Sequence, residues 1–481
     1  VSPVERARSA AAGWAARTVE ERAALLRPLA GRLADDAEQL ADLIHTENGK
    51  PRSEAMTHDV VASIVLTRWV TEAAPRALAP RSVATPGQPH RRATVVRRPY
   101  GVVVAITPWN IPLMIPLSSV LPALLAGNVV VLKPSELTPN TGAALAAHLD
   151  ALGLPEGVFQ LVQGDGAVGA ALVDAQPDKV VFTGSVPTGR RVMAACARFP
   201  IPVTLELGGV DALIVRADAD LELAASAIAW GATFNGGQAC CSVERVLVHV
   251  DVYGKLLARV TEKLGRIDPR ADLGPAVDDR QRGVWSTHLA DARARGLVAA
   301  GGDWLGPRTL APTLVAGEGV LDCVAWREET FGPIVAAAPY RSDDEAVALH
   351  DGTPYGLTAS VFGRDVTAAT ALARRLRAGA VAVNEVAATV YAHPQLPWGG
   401  VGASGFGRSH GEAGLLDLTW PQVIDTPRLP HEPKPLWGYP YDDVQERALL
   451  AVGHAFARPA PRTVLRAARA VGRLLTHRPR L

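Results

Sequence analysis

From Pro99 to Leu132 the chain carries no charged side chain: PYGVVVAITPWNIPLMIPLSSVLPALLAGNVVVL. A run of this length is long enough to span a bilayer, which takes about 20 apolar residues. Pro108, Pro112, Pro116 and Pro122 interrupt it, and each removes a backbone donor and blocks regular helix. Its rhythm is strand, loop, helix, strand, so the run reads as buried core rather than as a membrane span. Strands that are apolar on both faces belong to parallel sheets covered on both sides by helices.

The same rhythm continues along the chain. GVVVAIT, NVVVLKPS, VFQLVQG, KVVFTGS and VTLELGG are short apolar runs separated by helical segments, the pattern of right-handed βαβ crossovers. After Gly209 it restarts with DALIVRA, a helix over about Leu221–Thr233 and CSVERVLVHV, then LAPTLVAG, PIVAAAPY and GAVAVNE. The opening residues, rich in Ala, Leu, Arg and Glu, have helical spacing, and Thr18 with Glu21 offers a capping box. HRRATVVRRPYGVVVAI reads as strands joined by a turn. Two α/β units behind a helical opening are therefore expected.

Composition excludes several classes. Lys plus Arg total 49 against 48 Asp plus Glu, so the chain lacks the basic excess of a nucleic-acid binder. Cys196, Cys240, Cys241 and Cys323 are too few for a disulfide scaffold in 481 residues, and no C-x-x-C pair suggests zinc. No metal and a cytoplasmic location are expected. The opening VSPVERARSAAAGWAAR is charged and does not read as a secretory signal.

Several residues stand out chemically. Cys240 and Cys241 sit side by side in FNGGQACCSVERV. They are either small core residues or, after a flexible glycine loop, a thiol facing a cleft. Glu206 lies between Leu205 and Leu207 in an apolar strand; burial raises a carboxyl pKa and suits it to act as a general base. Two glycine loops compete for a nucleotide phosphate. GDGAVG, with Gly164, Gly166 and Gly169, matches G-x-G-x-x-G, and FTGSVPTG offers Gly184, Ser185 and Gly189. Both follow a strand and open a helix, where backbone N–H groups and the helix dipole suit an anion. Lys133 and Glu136 stand at a strand's carboxyl end, placed either for a ribose or for a surface ion pair. REETFGP, carrying Glu329 and Phe331, adds an acidic pair in a turn.

Taken in order, TPWNIP, KPSELTP, FTGSVPTG, LELGG, GGQACC, EETFGP and LPWGGVGASGFGRSHG resemble the successive motifs of the NAD(P)-dependent aldehyde dehydrogenase superfamily. The last of them is nearest to the class 3 and coniferyl-aldehyde branch. The resemblance covers roughly residues 10 to 430. It implies an α/β aldehyde dehydrogenase-like fold with a Rossmann-type NAD-binding domain over residues 1–85 and 101–207. A catalytic domain over 208–410 and a small β oligomerisation arm over 86–100 and 411–428 complete it. It further implies Cys240 as nucleophile, with Cys241 a neighbour, Glu206 as general base, and Asn110 with the Cys240 amide as oxyanion hole. NAD would meet Thr107, Trp109, Lys133, Glu136, Gly164, Gly184, Ser185, Gly189, Leu207, Glu329 and Phe331; NADP is possible. Ile111, Met114, Ser118, Cys241 and Trp398 would line the substrate pocket. The reaction implied is oxidation of an aldehyde to its acid through a thiohemiacetal and a thioester, and a homo-oligomer is implied.

Departures narrow the substrate. Ser409 and Ser119 stand where many relatives carry Glu and Lys, Ile111 replaces a Phe, and Ser118 stands where Trp is frequent. A roomy apolar tunnel without an Arg clamp suits aromatic or medium-to-long aliphatic aldehydes. Residues 429–481 form an extension beyond the shared body. Arg462, Arg466, Arg469 and Arg473 fall on one helical face, with Val464, Ala468, Val471 and Leu475 opposite. Such a helix docks on the protein's own surface or a dimer partner, lies on an anionic membrane, or stays disordered.

Overall fold

The computed structural model describes residues 2–85, 90–428 and 442–477. The uncharged run becomes the strand Val102–Ile106, the helix Met114–Leu125 and the strand Val129–Lys133, all but fully buried. No described helix is long and apolar enough to cross a membrane.

The two strands belong to a six-stranded sheet. Its order is Gly405–Phe406, Val203–Leu207, Lys179–Gly184, Val102–Ile106, Val129–Lys133, Phe159–Leu161. All pairs are parallel except the first, where Gly405 opposes Glu206. Sequence order reverses at Val102–Ile106, which lies between a later strand and its own successor. In open parallel sheets this switch point, outside the strands' carboxyl ends, is where ligands bind. Thr107, Lys133, Gly184 and Leu207 all stand at those ends.

A second, seven-stranded sheet runs Val298–Ala300, Thr313–Ala316, Ile334–Tyr340, Val243–His249, Asp211–Val215, Thr358–Phe362, Ala380–Val383. It is parallel apart from its first strand. Two of its strands were not legible in the chain: Val298–Ala300 is three residues long, and Thr358–Phe362 is TASVF, whose small polar residues mimic a loop. The helical opening is present, with the Thr18–Glu21 capping box closed in both directions.

By contact density the chain divides into two compact units. One is Val1–Ala79 with Arg97–Pro421 and contains both large sheets; the other is Pro80–Val96 with the chain from Gln422 onward. A third sheet joins Arg81–Val83, Arg91–Pro99 and Thr419–Pro427, and Arg91 Nε pairs with Asp425 Oδ2 at 2.7 Å. The C-terminal extension contains the helices Asp443–Ala457 and Pro461–Thr476, which pack on each other. Its residues 429–441 and 478–481 lie outside the described residues.

Candidate active site

One cavity of about 870 Å³ opens at the carboxyl ends of the first sheet. Thr107, Trp109, Asn110, Ile111, Ser118, Lys133, Glu136, Gly184, Ser185, Glu206, Leu207, Cys240, Cys241, Glu329, Phe331 and Trp398 all line it. Residues nearly three hundred positions apart, Thr107 and Trp398, are thus brought to one place. Gly164, Gly189 and Met114 do not line it. Gly164 has φ +145° and packs on the Val168 side chain, closing its own turn. Gly189 lets its helix approach Leu207, because a Cβ there would come within 2.5 Å of that side chain. Met114 is fully buried among the core residues.

The two glycine loops differ in one physical respect. In GDGAVG, the Asp165 carboxylate accepts from the N–H groups of Ala167 and Val168, so the helix Gly166–Asp174 has its own anion at its start. In FTGSVPTG, Ser185 caps the helix Val186–Ala197 without any side-chain bond to its backbone, and its Oγ meets Thr188 Oγ1 instead. The first-turn N–H groups of that second helix are left for a ligand.

The loop before Cys240 is built from strained backbone. Asn235, Gly236 and Gly237 have φ of +53°, +63° and +73°, a run of left-handed residues that glycine favours. Gly237 lies against Gly332, where a Cβ would come within 2.2 Å of the Gly332 carbonyl. The loop is clamped from outside. Glu54 Oε2 accepts the Asn235 N–H at 2.7 Å, and Gln238 bonds Pro275 O and the Val277 N–H at 3.0 Å each. Burial pushes the Glu54 carboxyl up to about 7.

Cys241 sits in the core of the second unit of sheet, whereas Cys240 is half-buried at the cavity wall. The Cys240 thiol is held well above its ordinary pKa, first by its hydrogen bond with Cys241, then by burial and by nearby carboxylates. Burial also raises Glu206 well above the carboxylate range; Asp417 adds to this, while Arg408 and the Ser409 N–H oppose it.

Three buried polar atoms lack a hydrogen-bond partner among the described residues at this wall: Thr107 Oγ1, Asn110 Oδ1 and Glu206 Oε1. Leaving such an atom unsatisfied costs about 1–3 kcal/mol, so their convergence on one cavity marks a ligand site. Asn110 Nδ2 donates to Gln238 O at 3.1 Å, which leaves its second hydrogen free.

In the REETFGP turn, Glu328, Glu329, Thr330 and Phe331 also line the cavity. Phe331 has φ +50° and stands edge-on to Trp109 at 5.7 Å. Glu244, missed in the sequence, holds this turn: its two oxygens accept the Thr330 and Phe331 N–H groups at 2.8 Å each. Gln281 and Trp285 donate to the Phe331 carbonyl from the other side. Glu329 is half-buried, and desolvation raises it to about 8; only glycine fits opposite it, since a Cβ at Gly208 would lie 2.0 Å from its Oε1. Tyr391 was also missed. It lines the cavity and packs on Trp398 at 5.0 Å and His410 at 4.6 Å. Lys133 Nζ and Glu136 Oε2 pair at 3.1 Å at the far end.

The sequence model of the aldehyde dehydrogenase family matches residues 2–424. The chain belongs to the aldehyde dehydrogenase family. Within that family it is 41% identical over 91% of its length to a 4,4'-diapolycopene aldehyde oxidase of Methylomonas sp, covering 83% of that protein. A Mycolicibacterium smegmatis protein named "Putative succinate-semialdehyde dehydrogenase", with NADP(+) as its named coenzyme, is 37% identical over 90% of this chain and 85% of its own. The solved betaine aldehyde dehydrogenase of Staphylococcus aureus in complex with NAD+ superposes with a TM-score of 0.84 at 29% identity. That match covers 90% of this chain and 88% of the other. An aldehyde dehydrogenase fold and activity follow for this chain.

Proposed function

We propose that the chain oxidises an apolar aldehyde to its carboxylic acid, with Cys240 as nucleophile, Asn110 as oxyanion donor and Glu206 as general base. The observation that carries this is the meeting of Cys240, Glu206 and Asn110 on one cavity wall, with unpartnered buried oxygens on the last two. Cys240 Sγ attacks the carbonyl carbon, and its proton leaves to water. The tetrahedral oxygen takes the free Asn110 Nδ2 hydrogen and the Cys240 N–H, donors already in place before charge develops. Collapse expels the carbon's hydrogen as hydride, for which a bound dinucleotide would be the acceptor, and leaves a thioester on Cys240; Glu206 takes a proton from the water that releases the acid.

The residues present fit a nicotinamide dinucleotide, which supplies the hydride acceptor when bound. The open helix start at Ser185 suits its pyrophosphate, Lys133 and Glu136 a ribose, Glu329 the other ribose, and Trp109 with Phe331 the ring. We assign most of this binding to the six-stranded part and the nucleophile to the seven-stranded part; Glu206 and Asn110 reach the site from the six-stranded part, Glu329 and Phe331 from the other. A carboxylate at Glu136 would repel a ribose phosphate, which favours NAD; NADP remains possible. The likeness to the class 3 and coniferyl-aldehyde branch rests on LPWGGVGASGFGRSHG and on GYPYDD, most of which lies outside the described residues.

The substrate class follows from the lining. Ile111, Ile115, Tyr391, Trp398 and Leu418 line the cavity. The guanidinium nearest Glu206 is Arg408, whose Nη1 donates to Gly400 O and Gly407 O. The cavity's other arginines are Arg191, on the helix that Ser185 opens, and Arg280, beside the Gln281 that holds the Phe331 turn. The names of the two relatives point to different aldehydes, so a panel decides. Aromatic and long-chain aldehydes are expected to give kcat/KM values at least about tenfold above succinate semialdehyde, an expectation set by the roughly 10–200-fold that apolar pocket contacts discriminate. The acid should form equally with or without coenzyme A. A preference for the semialdehyde would overturn the substrate reading.

Two surfaces extend the reading. The sheet formed by Arg81–Val83, Arg91–Pro99 and Thr419–Pro427 exposes Val423 and Ile424, and a small sheet cannot bury its apolar face alone; a homo-oligomer would cover it. In the C-terminal helices, Ala448, Ala451 and Ala467 are buried, while Leu449, Leu450, Phe456, Val464 and Leu465 stay exposed. The helix Pro461–Thr476 carries four arginines and no acid. We assign this pair of helices to an anionic lipid surface. Full-length protein should co-sediment with vesicles containing phosphatidylserine and not with neutral ones. Replacing Arg462, Arg466, Arg469 and Arg473 by Gln should abolish the difference; equal sedimentation of both proteins would remove the lipid assignment.

A further inference from the structure

The backbone carbonyl of Asn110 is a hub. It accepts the Lys50 ammonium at 2.5 Å and Asn235 Nδ2 at 3.1 Å. Lys50 Nζ also pairs with Asp59 Oδ2 at 2.8 Å, and the other Asp59 oxygen accepts the Leu113 N–H at 3.0 Å. One ion pair therefore grips both ends of the segment 110–113. Asn48 adds a third attachment: its Oδ1 accepts the Lys50 N–H, and its Nδ2 donates to Trp109 O. On the other side, Asn235 Nδ2 and Asn110 Nδ2 both donate to Gln238 O, so the segment is also stitched to the nucleophile loop.

Lys50 is 1% exposed and Asp59 fully buried. An ion pair this deep is weak support for a fold, because desolvation offsets its attraction, and apolar residues of similar size often serve as well. Its geometry points elsewhere. Neither side chain lines the cavity, yet every bond they make to the 110–113 segment constrains the residue whose side-chain amide faces Cys240's loop.

We propose that the buried Lys50–Asp59 pair is a positioning device that aims Asn110 Nδ2 at the thiohemiacetal oxygen and never touches substrate. The inference rests on the reading of Asn110 as oxyanion donor. A displacement of about 1 Å at a reacting group costs about 10²-fold in rate, which is what release of this segment would cause.

The test is a cycle of variants read as kcat/KM, melting temperature and NAD affinity by calorimetry. Asn110→Ala alone should lower kcat/KM by about 10²–10³-fold. Lys50→Met/Asp59→Leu, which leaves no buried charge unpaired, should fold, bind NAD as the parent does and lose about 10²-fold. The decisive readout is the triple variant. If the pair acts through Asn110, adding Lys50→Met/Asp59→Leu to Asn110→Ala lowers kcat/KM no further than about threefold, since groups acting as a unit are non-additive. Losses that multiply would show a general structural role and overturn the proposal, as would full activity in the double variant. Should that variant not fold, Asp59→Asn keeps the acceptor for Leu113 and removes the charge. It should lose about tenfold or more in kcat/KM, again only where Asn110 is present; undiminished activity would overturn the proposal. An unaltered kcat/KM in Asn110→Ala alone would instead sink the oxyanion reading on which the inference stands.

Discussion

Cys240→Ala is expected to abolish aldehyde oxidation while leaving dinucleotide binding intact, and Cys241→Ala is expected to keep most of the activity. The two cysteines are neighbours in the chain but differ in surroundings. Both line the cavity that carries Glu206 and Asn110, but Cys241 is buried in the core around Phe234 and Val243, whereas Cys240 is only half-buried. Removing a covalent nucleophile whose partners act with it as a unit costs about 10⁶-fold in turnover. The resting sulfur is a thiol, because its hydrogen bond with Cys241 and its burial both disfavour the thiolate. Reaction with an alkylating reagent should therefore be slow at neutral pH and speed up as pH rises, the sign expected for a thiol of raised pKa. The measurement is reduced nicotinamide formed per enzyme, with NAD binding followed by calorimetry in each variant. Oxidation surviving in Cys240→Ala, or equal loss in both variants, would remove Cys240 from the mechanism.

The fold class was legible because the strands are uncharged and punctuated: Val102–Ile106 and Val129–Lys133 could not have been anything but buried. Glu206 stands out among its apolar neighbours and the Cys240–Cys241 pair after its glycine loop, whereas the choice of Cys240 and the role of Asn110 come only from the family resemblance. What supports these residues was not legible. Lys50, Asp59 and Glu54 come from the helical opening, where alternating charge reads as a solvated face. Only tertiary packing puts them against residues 110 and 235. Glu244 is hidden in the same way, in a strand whose partner turn lies about ninety residues on. One ambiguity was open to closer reading. Asp165 stands immediately before a helix, a position where a carboxylate caps the backbone, and that cap separates the two glycine loops. Met114 shows the opposite lesson. It is three residues from Ile111, but the helix begins there and turns it into the core.

Glu206→Gln should separate the two halves of the reaction. The carboxylate has no part in forming the bond to Cys240 or in the hydride step; its work is to take a proton from water at the thioester. One equivalent of reduced nicotinamide per active site should therefore appear rapidly in the variant, followed by steady turnover about 10²–10⁴-fold below the parent, the range general-base catalysis contributes. Its charge is among the causes that raise the Cys240 thiol, so neutralising it favours the thiolate and leaves the burst at full amplitude. The pH dependence has a definite sign. Burial raises Glu206 well above the usual carboxylate value, with Asp417 adding to the shift and Arg408 opposing it, so the side chain is protonated below its raised pKa and becomes a base only above it. Steady turnover of the parent should rise with pH through that value and then level, and the Gln variant should lack that rise. Melting temperature is expected to hold, because the Gln amide, like the protonated carboxyl it replaces, is neutral at this buried position. A burst that vanishes along with steady turnover would mean that Glu206 serves the attack on the aldehyde. Unchanged steady turnover would mean that another group activates the water.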